Sequence, residues 1–149
     1  MMQRRAFVVG VVAAVASVVA VGCGGPDYVS LRAGECLPSS AEVVGTREPD
    51  PPTVACSETH RYEVYAVTTI SGPRTFPGDD AVDEKAQHAC YEKFEPAVGF
   101  DPAEMPSDVK VVYLQPTESS WNDQADRDVE CLLIFDDDRR GSILKGRVT

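Results

Sequence analysis

An unbroken β-favouring run headed by a cysteine constrains this chain more than any other feature. Between Ala55 and Ile70, the residues Tyr62, Val64, Tyr65, Val67, Thr68, Thr69 and Ile70 are β-branched or aromatic, and no Pro or Gly interrupts them. A strand of this kind needs a sheet on either side of it. Cys56 at its head needs a partner elsewhere in the chain.

The first residues read as an address. Arg4 and Arg5 form a basic end, Ala6 to Val21 is uncharged, and Ala20, Val21 and Gly22 lead directly to Cys23. A positive end, a short apolar core and small residues before a cut site describe a secretory signal. The small residues before Cys23 resemble the lipobox of bacterial lipoproteins, with Ala20 where Leu is commonest. That resemblance implies cleavage after residue 22, lipidation of Cys23 and a lipid-anchored protein on the outer face of the bacterial cell membrane. An uncleaved anchor fits less well, because the apolar run is shorter than the roughly 20 residues that span a bilayer. Arg4-Arg5-Ala6-Phe7-Val8 also resembles part of a twin-arginine signal, so the export route stays open. Residues 23–30, with Gly24-Gly25-Pro26, then form the lipidated cysteine and a tether, and residues 31–149 form one domain.

Charge narrows the partners. The chain carries 14 basic and 24 acidic residues, a formal charge of -10, and cleavage would remove two of the basic ones. Such an acidic surface repels nucleic acid and anionic headgroups, so membrane attachment has to come from acyl chains.

With Cys23 taken by lipid, Cys36, Cys56, Cys90 and Cys131 remain, and an even number in an exported chain predicts two disulfides with three available pairings. No Cys-x-x-Cys pair exists, and the close Cys/His pairs are Cys56 with His60 and His88 with Cys90. That spacing argues against zinc. No metal and no cofactor is expected.

Further elements follow from pattern. Tyr28–Leu31 is a candidate short strand, with a turn at Ala33-Gly34, and Val43-Val44 is a candidate brief pairing before the irregular Glu48-Pro49-Asp50-Pro51-Pro52 stretch. Asp79 or Asp80 can cap a helix through Phe94, with Val82, Ala86, Ala89, Cys90 and Phe94 on one face and Glu95-Pro96 as its stop. Val109–Leu114 and Val129–Phe135 read as strands, Asp136–Gly141 as a turn and Ile143–Val148 as a last edge strand. The class is α+β: a small antiparallel sheet with one helix packed across it and two disulfides. Of the three pairings, Cys36–Cys56 and Cys90–Cys131 ask least of that topology. The first joins two turn regions ahead of the main strand, and the second ties the helix to a late strand.

Several short stretches together resemble the bacterial septum-formation family. Gly34-Glu35-Cys36 is similar to the family's Gly-Asp-Cys, and Ala55-Cys56-Ser57-Glu58-Thr59-His60 to its Pro-Cys-Ser-x-Pro-His. Pro116-Thr117, Ser120-Trp121, Asp126-Arg127, Val129 and Cys131 follow its Pro-Thr, Trp and Gly-Asp-Arg-x-Val-x-Cys. The chain departs at Ala55 and Thr59, where proline is usual, and at Ala125, where glycine is usual. The resemblance implies an envelope-associated module linked to division septa, and it brings no catalytic activity with it.

The candidate site residues each have a structural reading beside the functional one. His60, four residues after Cys56, suggests a nucleophile–base pair, but a disulfide would deny that pair its thiolate. A turn residue bonding the backbone is the alternative. His88 can pair with Glu84 and Glu92 along the helix. Asp136-Asp137-Asp138 has the oxygen ligands of a calcium site but lacks the spacing and the glycine of an EF-hand loop. Trp121 is a candidate binding anchor or a core residue, and Asp126 and Arg127 a candidate ion pair. His60, Trp121, Asp126 and Arg127 are therefore the candidate binding residues. Two functions follow. One is a non-catalytic lipoprotein module that contacts an envelope protein or wall component; the other is an envelope hydrolase or thiol enzyme using His60 with Cys56 or Ser57.

Overall fold

The computed structural model describes residues 29–43 and 51–146. The expected signal peptide, Cys23 and the expected tether up to Tyr28, together with Val44, Glu48-Pro49-Asp50 and Val148, lie outside the described residues. In chain order the elements are β1 (Cys36–Leu37), β2 (His60–Thr69), α1 (Asp79–Val98), a single 3-10 turn (Pro102–Glu104), β3 (Val109–Leu114), α2 (Glu118–Asp123) and β4 (Asp128–Arg139). The strands form one antiparallel sheet in the order β1-β2-β4-β3. The α+β architecture expected from the pattern is the one observed, with α1 lying across the sheet.

Alternation along β4 sorts the two faces. Val129, Cys131, Leu133 and Phe135 point toward α1 and meet Val82, Ala86, Cys90, Phe94 and Val98. Leu132 points the other way and meets Val64, Tyr62 and the segment holding Val29, Leu31, Leu37, Ala41 and Val43. The sheet is therefore covered on both sides, which is why the middle of β4, Cys131–Phe135, is apolar on both faces. Small side chains at Ala86 and Ala89 let α1 approach closely. The Tyr65 hydroxyl donates to the Cys90 carbonyl at 2.9 Å, and the Tyr65 and Phe94 rings meet edge to face.

Both disulfides take the expected pairing. Cys36 is bonded to Cys56 and Cys90 to Cys131, with Cα–Cα distances of 5.3 and 5.5 Å. One fastens the edge strand to the loop before β2; the other pins α1 to β4.

Several local expectations are corrected. α1 runs past Pro96 to Val98, because a proline in the last turn removes a single backbone donor while Val98 gains burial in the core. The helix ends at Gly99, whose left-handed φ of 88° lets its N–H bond the Glu95 carbonyl. Gly78, rather than Asp79 or Asp80, occupies the N-cap, and both aspartates stand in the first turn, where the helix dipole favours them. β4 continues through the expected Asp136–Gly141 turn to Arg139. Cross-strand cations hold it there: Lys110 pairs with Asp136, and Arg61 with Asp138 at 2.8 Å.

Among the described residues, neither terminal segment forms the strand expected of it. Val29 and Leu31 are buried as an irregular cover over Val64 and Leu132, while β1 pairs with β2 and Val54 bridges to β1. The segment from Ile143 packs over the α1 side instead of extending the sheet. Ile143 N–H donates to Glu63, Lys145 N–H donates to Ala97, and Leu144 enters the core.

Candidate functional site

The head of β2 collects the chain's buried polar chemistry. His60 and Glu63 are both 0 % exposed. They sit beside the Cys36–Cys56 disulfide, where one ligand-type atom each from Cys36, His60 and Glu63 lies within 4.8 Å of the others. His60 Nδ1 lies 2.9 Å from the Glu58 carbonyl, which can only accept, so Nδ1 carries the hydrogen. In the neutral ring the lone pair is then on Nε2, and Nε2 has no partner. The ring packs edge-on against Phe135, over which Arg139 lays its guanidinium at 4.6 Å.

Glu63 is a carboxylate in the middle of the main strand. It accepts from the Ser142 hydroxyl and, at 3.1 Å, from Ile143 N–H. Gly141 N–H donates to the Cys56 carbonyl at 2.7 Å. The returning segment thus seals this end of the molecule. Sequence spacing could not reveal the grouping, because antiparallel pairing sets Cys36 opposite Glu63. The one local signal was a lone carboxylate inside an otherwise β-forming run.

With this disulfide closed, Cys56 offers no thiolate to a thiol-enzyme arrangement. Cys56 is in a disulfide, and His60 is enclosed with its Nδ1 committed to Glu58. Ser57 is exposed on the loop outside that enclosure.

The second motif region is a structural knot. Thr117 caps α2 by accepting from Ser120 N–H at 2.8 Å, and the Ser120 hydroxyl faces back to Thr117 N–H at 2.9 Å, closing a reciprocal capping box. The same hydroxyl donates to Asp126 at 2.8 Å. Trp121, 1 % exposed, sits in the core rather than on the surface, and its indole N–H donates to the Pro73 carbonyl at 3.1 Å. Arg127 stacks over the indole at 3.4 Å.

Asp126 and Arg127 form no ion pair with each other. Arg127 instead donates to the carbonyls of Trp121, Asp126, Pro73 and Arg74, while Asp126 also accepts from Asp128 N–H. Neighbours in an extended chain point apart, so each side chain serves different loops. Gly72 lies so close that an added Cβ would fall 2.6 Å from the indole. Ala125 holds a φ of 55°, a conformation that costs an L-residue roughly 1–2 kcal/mol. Ala125→Gly should therefore raise stability by about 0.5–1 kcal/mol after the extra chain entropy of glycine is subtracted, measurable by urea unfolding; a loss would contradict this geometry.

Of the other candidates, His88 is exposed and lies 3.8 Å from Glu92. Two of the three acids in Asp136-Asp137-Asp138 are committed to Lys110 and Arg61. Glu130, on β4, was not visible as a special residue in the sequence. It is 5 % exposed, and burial, with the nearby Asp126 and Asp128 charges adding to it, pushes its carboxyl up to about 8.

A groove of about 180 Å³ runs between α1 and β3, lined by Tyr65, Tyr91, Phe94, Pro102, Val111 and Tyr113 among others. Tyr91 is 63 % exposed, the most exposed large apolar side chain among the described residues. The Tyr113 hydroxyl donates to Asp83 at 2.8 Å, and its pKa is pushed up to about 12, first by burial and then by that carboxylate. β3 is the edge of the sheet, paired on one side with β4; among the described residues nothing pairs with its other side.

No curated protein and no solved structure matches this chain. A family model described as septum formation matches residues 27–131, which spans the tether end, both disulfides, the buried cluster at the head of β2 and the Trp121 knot. The chain belongs to the septum-formation family.

Proposed function

We propose that this protein is a non-catalytic, lipid-anchored module of the bacterial cell envelope, held at the outer face of the membrane through Cys23 and contributing to septum formation by engaging a protein partner. The family supports the septal association. The observation that carries the binding reading is the unpaired edge of β3 beside an apolar groove with Tyr91 at its rim. The unpaired side of β3 offers backbone donors and acceptors to an extended segment, and the adjoining groove accepts its side chains. Natural sheets blunt such edges unless they are used. Here the strand shows only Lys110 as a charge, and that charge is paired with Asp136.

The occupant is an extended protein segment carrying basic residues. On the groove side of α1, Asp83 accepts from Tyr113 and Glu95 stands exposed one turn beyond Tyr91, on a chain whose formal charge is -10. A second copy would bring the same negative field, so a basic partner is favoured over self-association. Tyr91→Glu should abolish co-isolation of the partner and leave the melting temperature unchanged, because Tyr91 lies largely in solvent.

Attachment has its own test. Cys23→Ala should stop processing at that residue and shift the protein out of the lipid-anchored membrane fraction. Stable anchoring takes more than one acyl chain, so the wild-type N-terminus should carry diacylglyceryl mass. Unchanged fractionation of the variant, together with an unmodified wild-type N-terminus, would refute the anchor.

A further inference from the structure

We infer that the head of β2 is a redox-gated zinc site: when the Cys36–Cys56 disulfide is reduced, Cys36, Cys56, His60 and Glu63 close around one Zn²⁺. Three observations converge there. Ligand atoms from Cys36, His60 and Glu63 already lie within 4.8 Å of one another, and Cys56 is bonded to Cys36. Tetrahedral zinc holds sulfur at about 2.3 Å and nitrogen at about 2.0–2.1 Å, which sets its ligands roughly 3.3–3.8 Å apart. On reduction the Cys56 sulfur moves away from Cys36 to that spacing, while the Cys36, His60 and Glu63 atoms draw in from within 4.8 Å of one another.

The second observation is His60 itself. Its Nδ1 hydrogen is given to the Glu58 carbonyl, and its Nε2 lone pair is buried without a partner. Metal-ligating histidines are oriented in this way, with the far ring nitrogen donating to a carbonyl or carboxylate. An orphaned acceptor in a closed site costs stability in the oxidised protein and becomes a ligand in the reduced one. The third is charge. Two thiolates and the Glu63 carboxylate exceed the charge of Zn²⁺ by one, next to Arg139, the strand partner of His60, whose Nε is also buried without a partner.

The redox step balances with a dithiol reductant of the thioredoxin class. Cys56 is the less buried sulfur of the pair, so the incoming thiolate bonds to Cys56 and Cys36 leaves as a thiolate beside His60. The reductant's second thiol then displaces Cys56, and the reductant departs as a disulfide. Two electrons have passed to the protein. The two protons that would reside on the new thiols are released when Zn²⁺ binds. The Cys90–Cys131 bridge offers no comparable site: both residues are buried in an apolar cluster.

Co²⁺ titration of the purified full chain tests the site, since tetrahedral thiolate-bound cobalt has a distinct visible spectrum. After limited reduction, the expected result is one Co²⁺ per chain with thiolate charge-transfer bands, displaced by Zn²⁺, and, among the four disulfide cysteines, alkylation confined to Cys36 and Cys56. The oxidised chain should show no bands. His60→Gln should weaken Co²⁺ binding about tenfold or more. A Cys36→Ser, Cys56→Ser double variant, which keeps the other bridge, should stay folded by circular dichroism and show no thiolate bands. Absence of tetrahedral bands in the reduced wild type, binding undiminished in His60→Gln, or opening of Cys90–Cys131 first would each overturn the assignment.

Discussion

Replacing Cys90 and Cys131 together by alanine should lower the free energy of unfolding by about 4 kcal/mol or more, the largest loss expected of any disulfide change here. The bridge closes a loop of 41 residues, against 20 for Cys36–Cys56. Loop entropy alone then gives roughly 3.9 kcal/mol for the first and roughly 3.3 kcal/mol for the second. Packing widens the gap, because Cys90 and Cys131 fill the layer between α1 and β4 and their sulfurs would leave a void. Against the roughly 5–15 kcal/mol that holds a domain together, either loss is severe. Urea unfolding of the two double variants would measure both, and a greater loss for the Cys36/Cys56 pair would contradict this placement of the core. Under reduction of the wild type, rather than substitution, the proposed zinc site should offer the Cys36–Cys56 end a replacement crosslink, and the Cys90–Cys131 end should have none.

Glu130→Gln should stabilise the protein at neutral pH by about 2–3 kcal/mol and flatten its pH dependence. Burial raises the Glu130 carboxyl from 4.5 to about 8, with Asp126 and Asp128 adding to the rise. The sign follows from proton uptake. Below pH 4.5 both the folded and unfolded chains hold the proton and nothing is lost. Between pH 4.5 and about 8 the unfolded chain has released it while the folded chain keeps it. Stability therefore falls as pH rises through that window, by about 1.4 kcal/mol per pH unit at most, and levels off above it. Glutamine mimics the protonated carboxyl and does not titrate, so the variant should lack this slope. Unfolding curves at pH 5, 7 and 8.5 would show it; a wild-type stability that rises over this range through Glu130 would contradict the burial argument.

Much of the fold was legible because it rests on local pattern. β3 occupies Val109–Leu114 as its residues predict, and α1 buries Val82, Ala86, Cys90 and Phe94 at the expected spacing. The disulfide pairing followed from placing those elements on one sheet. What escaped was decided by tertiary contacts. The segment after Gly141 has strand-like residues, yet Glu63 captures Ser142 and Ile143 before they can pair along an edge. α2 is six residues long, too short for periodicity to show, and it exists because of the Thr117–Ser120 capping box. The cluster of Cys36, His60 and Glu63 is invisible to spacing rules, because the register of β1 on β2 creates it.

The motif residues also changed meaning once placed. Trp121, Asp126 and Arg127 could mark a surface by their chemistry, but their hydrogen bonds run inward to α2, Pro73 and Arg74. Ala125 shows why the family favours glycine there: the loop needs a positive φ between α2 and the Asp126 knot. These residues shape the domain, and the partner surface proposed above lies elsewhere, at the β3 edge and its groove.

The proposal that this edge is the working surface is tested most directly by photo-crosslinking in intact cells, with the crosslinking residue placed at Val111 in the groove, at Tyr91 on its rim, and at Glu58 on the exposed loop before β2. One protein adduct shared by the Val111 and Tyr91 positions and absent from Glu58 is expected. Adducts confined to Glu58, or no adduct from Val111 and Tyr91, would contradict it.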